Sequence, residues 1–251
     1  MSLRRGLEPT VGRQRLHPLV DASGIVVLRF GVMVATLQLA AVAGIGGWDL
    51  GLVTNIAVTI LAIALMTRRR LWHDSGFTTA WRSRIAAVAL VPLVLESVSW
   101  ALPGGLVPEE PGYLAWGTTL LLVGVNEELI SRGVILSRLR EAYRPVTAVT
   151  LTAVLFGLQH LSAFALTSRT ADDILMNVLL SGVYGFALAA FQFRFRWIWP
   201  LILVHATADF MTLLAAEPLP DLVVAASHVL LLAYGVVLLW RVTGARSHSR
   251  P

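Results

Sequence analysis

Eight apolar stretches take up most of this chain, at roughly 25–46, 51–67, 84–103, 113–137, 146–167, 174–193, 197–216 and 222–240; about 18 or more such residues suffice for a helix to cross a bilayer. Little is left over for a water-soluble domain. The chain is 56% hydrophobic and 14% charged, with a mean hydropathy of +0.72, which no ordinary soluble domain reaches. The sequence therefore predicts an all-α polytopic membrane protein of about eight transmembrane helices. A single embedded domain is expected over 21–243, preceded by a disordered cytoplasmic arm at 1–20 and followed by a cytoplasmic tail at 244–251.

The distribution of positive charge predicts the orientation. Arg4, Arg5, Arg13 and Arg15 precede the first stretch, Arg68, Arg69, Arg70, Arg82 and Arg84 separate the second from the third, and Arg138, Arg140 and Arg144 follow the fourth. Arg194, Arg196, Arg241, Arg246 and Arg250 fall on the same side, whereas the opposite loops hold Asp49, Glu109, Glu110, Asp172, Asp173, Glu217 and Asp221 with a lone Arg169. Both termini are expected in the cytoplasm, in the plasma (inner) membrane of a bacterial cell. The net charge of +5 then faces anionic headgroups, and nucleic acid is not expected as a partner. The absence of cysteine excludes disulfides and thiol catalysis.

Ionisable groups inside the hydrocarbon are costly and mark function by default. In "VGVNEELISRGVILSRL", residues 123–139, Glu128 and Arg132 are four apart and share one helix face, an arrangement that suits an ion pair. Glu127 points about 100° away and is left to face something else. "FGLQH" stacks Phe156 with His160, and "HATAD" stacks His205 with Asp209. Counted from the arginine-side ends of their helices, Glu127, His160, His205 and Asp209 lie about 15, 21, 12 and 18 Å deep. Such a level arrangement suits water activation: a carboxylate as base, one imidazole holding the water, and another donating to an oxyanion. The class implied is acyl-bond hydrolysis, with a peptide as the expected substrate. The site is expected to be sealed from lipid and to open toward the cytoplasm.

These three segments fit EExxxR, FxxxH and HxxxN/D in that order on separate spans, and the chain resembles the CPBP family of intramembrane glutamic endopeptidases, which includes type II CAAX prenyl proteases and bacterial Abi proteins. The resemblance covers residues 113–216. It implies Glu127 as general base, His160 on the water and His205 in the oxyanion hole, with Glu128, Arg132 and Phe156 shaping the site. Asp209 stands where prenyl-processing members usually carry Asn. An ionised Asp accepts but cannot donate, so its expected task is to orient His205 by accepting a ring N–H; the alternative is a protonated Asp209 that donates to the oxyanion. No cofactor and no metal are implied. The partners implied are the lipid bilayer and a peptide or protein entering from the membrane or cytoplasmic side, a prenylated CAAX tail or a bacteriocin- or signal-type peptide.

Two other classes stay open. Glu and two His also suit a zinc-dependent protease, and a non-proteolytic scaffold or immunity protein can use the same charges as a helix clamp. Among the remaining deep groups, Arg29 is expected to snorkel to the cytoplasmic surface. Glu96 is expected to make an interhelical hydrogen bond, or else to pair with Arg132 or cap a cavity, and His228 to touch headgroups or water. Trp48, Trp197 and Trp199 are expected as interfacial anchors.

Overall fold

A computed structural model describes residues 11–247, with side chains from His17 to Trp240. Its α-helices, in chain order, are α1 Val11–Val42, α2 Gly47–Arg68, α3 Arg84–Ser99, α4 Tyr113–Glu128, α5 Leu136–Ala142, α6 Pro145–Leu158, α7 Ala163–Leu166, α8 Ala171–Phe195, α9 Ile198–Leu213 and α10 Asp221–Ser247. A π-helical segment, Leu129–Ile135, links α4 to α5, and a 3₁₀ turn, Gln159–Ser162, links α6 to α7. The described residues thus form eight rods and no strand. Residues 1–10 of the expected arm and 248–251 of the expected tail lie outside the described residues; the rest of both is helix, since α1 begins at Val11 and α10 runs to Ser247.

Five rods are long and apolar enough to cross a membrane: His17–Val42, Gly47–Arg68, Pro145–Leu166, Ala171–Phe195 and Asp221–Trp240. The other three, α3, the α4–α5 rod and α9, are short or interrupted by charge, and they carry Glu96, the Glu127–Glu128 pair and His205. At 16 residues each, α3 and α9 are about 24 Å long, below the ~30 Å of a bilayer core. The chain is an all-α polytopic membrane protein whose polar groups are concentrated on its least membrane-like helices.

The ends of the rods define two faces. On the arginine-rich face, Arg69 donates from both terminal nitrogens to Asp21 at 2.9 and 3.0 Å, and Arg138 Nε lies 3.3 Å from the same carboxylate. There Trp197 and Trp199 both donate their indole N–H to the Thr79 carbonyl, at 2.9 and 2.8 Å. Trp197 is buried in the core, so it pins a loop instead of anchoring in the interface as expected. On the opposite face, the segment after α3 pairs with the segment after α9, through Val107 N–H to Leu214 O and Ala216 N–H to Gly105 O.

Local chemistry starts the rods where they start. Thr170 caps α8 by accepting from the Asp173 N–H at 3.2 Å, and Asp172 and Asp173 place negative charge at the positive end of the helix dipole. Pro145 occupies the first turn of α6, where no donor is needed.

Two glycines let the central rods approach closely. A Cβ on Gly124 would stand 2.6 Å from the Ile202 carbonyl oxygen across α4 and α9, and one on Gly157 would stand 2.6 Å from the Val178 carbonyl oxygen across α6 and α8. Small residues at such crossings are how membrane helices gain packing without a hydrophobic drive. Gly124→Ala is therefore expected to cost about 1–3 kcal/mol, read as a lower unfolding temperature in detergent. Gly24→Ala, where nothing lies within 4 Å, should leave that temperature unchanged or raise it.

Candidate active site

His205, near the middle of α9, gathers the site around one imidazole. Its Nδ1 lies 2.8 Å from Glu128 Oε1, and a carboxylate only accepts, so Nδ1 carries the hydrogen and donates. The same Oε1 accepts from Arg132 Nη1 at 2.8 Å. Arg132 also donates from Nη2 to the Gly185 carbonyl at 3.2 Å, and its guanidinium lies over the Phe156 ring, 4.0 Å from the centroid. Glu128 and Arg132 are fully withdrawn from solvent, at 0% and 1% exposure. The expected ion pair within EELISR is thus present, and it holds α9 through His205 and α8 through Gly185. The π-helical segment begins directly after Glu128 and includes Arg132; such wide turns are rare and occur often at functional sites.

Glu127 faces the other way, as helical geometry requires. Its Oε1 accepts from Arg29 Nη2 at 2.7 Å and its Oε2 accepts from Gln159 Nε2 at 3.1 Å. His205 Nε2 lies 3.8 Å from Glu127 Oε2 and 3.7 Å from Asp209 Oδ2. Neither distance is a hydrogen bond, so Nε2 is the ring nitrogen left available to a substrate. The expected role of Asp209 is corrected here: Glu128, not Asp209, accepts the ring N–H that orients His205. Asp209 instead keeps 34% of its side chain exposed and lines a cavity.

His160 sits in the 3₁₀ turn after α6 and donates from Nδ1 to the Phe156 carbonyl, one turn back, at 3.1 Å. A carbonyl only accepts, so Nδ1 carries a hydrogen, and in the neutral ring Nε2 keeps its lone pair. Phe156 packs edge-on against both His160 and His205, with centroids 5.5 and 5.8 Å apart. The residues drawn from three separate motifs therefore meet in one place: Glu127 and Glu128 from α4, His160 through its neighbour Gln159, and His205 and Asp209 from α9.

Three placements differ from expectation. Arg29 does not snorkel; it is buried and binds Glu127 from α1. It lies about 27 Å along the helix from Val11, a depth hidden because the helix starts well before the first uninterrupted apolar run. Glu96 bonds within its own helix, accepting from Trp100 Nε1 at 2.9 Å, and lines a cavity. His228 is buried beside that cavity and donates from Nδ1 to the Val224 carbonyl at 2.8 Å. Arg29 and Gln159 were the partners that sequence reasoning missed, since neither belongs to a recognisable spacing.

Two cavities flank the site and share His160 and Asn177 in their walls. One, of about 490 Å³, is lined by Glu96, Phe156, Tyr184, His205, Asp209 and His228 among others. The other, of about 360 Å³, is lined by Arg29, Asn55, Thr54, Thr167 and Arg169 with apolar neighbours. Their walls come from the starts of α2, α8 and α10 and from the ends of α3, α7 and α9. Those helix ends belong to the face away from the arginine-rich loops, so the expected opening toward the arginine side is corrected. Depth counted from one helix end does not say which end is filled. Here Ile130, Val134, Leu136, Leu188, Phe191, Ile198 and Leu201, all at most 1% exposed, fill the arginine side.

The helices of this membrane protein thus bury carboxylates and imidazoles together, beside cavities lined toward the face away from the arginine-rich loops. Residues 109–211 match the model of a family described as type II CAAX prenyl endopeptidase Rce1-like; the similarity spans α4 to most of α9 and takes in every motif residue above. No curated protein and no solved structure matches the chain.

The buried pair sets a stability test. Removing one partner of a buried, hydrogen-bonded ion pair leaves an uncompensated charge and costs about 3–5 kcal/mol. Glu128→Ala should therefore lower folded yield and unfolding temperature sharply in detergent, whereas Asp209→Ala, at a partly exposed position, should change them little. Equal destabilisation by the two would show that Glu128 is not the anchor.

Proposed function

We propose that the protein is a glutamic-type endopeptidase that hydrolyses a peptide bond of a membrane-associated substrate with a water held between Glu127 and His160. Glu127 Oε2 has a second lone pair beyond the Gln159 bond and takes a proton from that water. His160 accepts the water's other hydrogen at Nε2 and so fixes its oxygen toward the substrate carbonyl. The oxygen attacks, and His205, acting as an imidazolium with a hydrogen on each ring nitrogen, donates from Nε2 to the oxyanion that forms. Collapse of the tetrahedral species breaks the C–N bond, and the proton held by Glu127 passes to the leaving amine. The pair of Glu128 and Arg132 holds His205 in place from its Nδ1 side. The observation that supports this reading is the 3.8 Å separation of Glu127 Oε2 and His205 Nε2, short enough for one substrate group to meet both side chains.

In the orientation proposed here, the arginine-rich loops and both termini face the cytoplasm of a plasma membrane. The competing clamp reading draws on one specific observation, that both oxygens of Glu127 already accept hydrogen bonds from the protein.

Mutation separates the two. In proteoliposomes with a membrane peptide library, Glu127→Gln is expected to abolish cleavage while the protein stays folded; unfolding without any cleavage by the wild type would support the clamp. His205→Ala should cost about 100- to 1000-fold in kcat, as loss of an oxyanion donor does elsewhere. Asp209→Asn and Asp209→Ala should each cost less than His205→Ala, because neither touches the Glu128 bond.

A metal arm completes the test. Among the described residues no group of three or more His, Asp or Glu is arranged to hold a metal ion. Cleavage is expected to persist in 1,10-phenanthroline, and activity lost to the chelator and restored by zinc would replace this mechanism with a metalloprotease.

A further inference from the structure

The site lies between a filled half and an open half of the membrane. Toward the arginine-rich loops it is closed by Ile130, Val134, Leu188, Phe191, Ile198 and Leu201, each at most 1% exposed. On that face Arg69, Arg138 and Asp21 tie the helix ends together, and the Thr79 carbonyl takes both Trp197 and Trp199. Toward the other face the two cavities run between helix ends, from Leu50 and Thr54 near the start of α2 to Thr212 and Leu213 at the end of α9. The loops there carry Glu109, Glu110, Asp172, Asp173, Glu217 and Asp221 and a single arginine. Arginine-rich short loops stay in the cytoplasm.

From these observations together we infer that substrate reaches Glu127 and His205 from the non-cytoplasmic face, so that the bond cleaved belongs to a peptide segment that has already crossed the bilayer. This deepens the protease reading above and rests on it for the word substrate; the direction of access does not depend on cleavage. A chain segment emerging from export, or the outer portion of a membrane-anchored peptide, has this chemistry. A tail held on the cytoplasmic surface would meet the packed half first.

Because the chain contains no cysteine, single cysteines report access without background. Ser181→Cys lines the larger cavity and Ser162→Cys the smaller one; Thr78→Cys and Glu109→Cys mark the arginine-rich and acidic faces. Each full-length variant is reconstituted or prepared in sealed right-side-out and inside-out vesicles and treated with a charged, membrane-impermeant thiosulfonate, which does not enter hydrocarbon. Glu109→Cys is expected to react from the outside and Thr78→Cys from the inside. Ser181→Cys and Ser162→Cys should follow Glu109→Cys, reacting at least about tenfold faster from the outside, because a charged reagent reaches them only through water. Reaction of either cavity position from the inside together with Thr78→Cys would overturn the inference. So would silence from both faces, which means entry through lipid, and so would Thr78→Cys reacting from the outside. Serine to cysteine changes one atom, and near-wild-type unfolding temperature verifies that each variant is folded. Failure of the wild type to cleave any peptide would sink the protease reading and leave the labelling result intact.

Discussion

A single oxygen, Glu128 Oε1, holds the centre of this protein together. It receives Arg132 from the same rod and His205 from α9, in a place withdrawn from solvent. A charge this deep is tolerable only when paired and hydrogen-bonded; once paired, it fixes where α4, α8 and α9 stand relative to each other. The close crossing at Gly124 and the cation lying over Phe156 are consistent with that fixed spacing. Because His205 is held from its Nδ1 side, its other nitrogen is presented to Glu127 and to the cavity. Structural and chemical duties are thus divided between neighbouring glutamates, which point in different directions because they are adjacent on a helix.

Irregular backbone supplies what regular helices cannot. The π-helical segment from Leu129 and the 3₁₀ turn from Gln159 occur where the motif residues need displacement from an ideal spiral. In the tighter turn, Gln159 and His160 are consecutive yet serve different partners, the amide reaching Glu127 and the ring returning to Phe156.

The eight rods were legible because each lies within an apolar run, although only five are long and apolar enough to cross a membrane, and the Glu128–Arg132 pair was legible because a four-residue spacing puts both on one helix face. The coming together of Glu127, His160 and His205 was legible as a shared depth. What stayed hidden depends on pairing between distant segments. Arg29 is separated from Glu127 by 98 positions, and no periodicity links them. Gln159 reads as an ordinary neutral residue until the turn that carries it is known. The orienting role expected of Asp209 followed from its four-residue spacing to His205, but the ring rotated to the stronger, fully buried acceptor on Glu128. Which half of the membrane is solid was also invisible, since burial on one face of a rod leaves no mark in a sequence that is apolar on all faces.

The bond from Arg29 to Glu127 has a consequence for how such a protein changes over time. The stretch that resembles a known family begins at residue 109, yet the acid at its heart is neutralised by a helix that ends at Val42. The first rod is therefore not a detachable leader to a self-sufficient core. An exchange of this helix for an unrelated span would take the cation from a buried carboxylate, so heredity has to keep the start and the middle of the gene in step, and a variant arising in one is judged by what stands in the other.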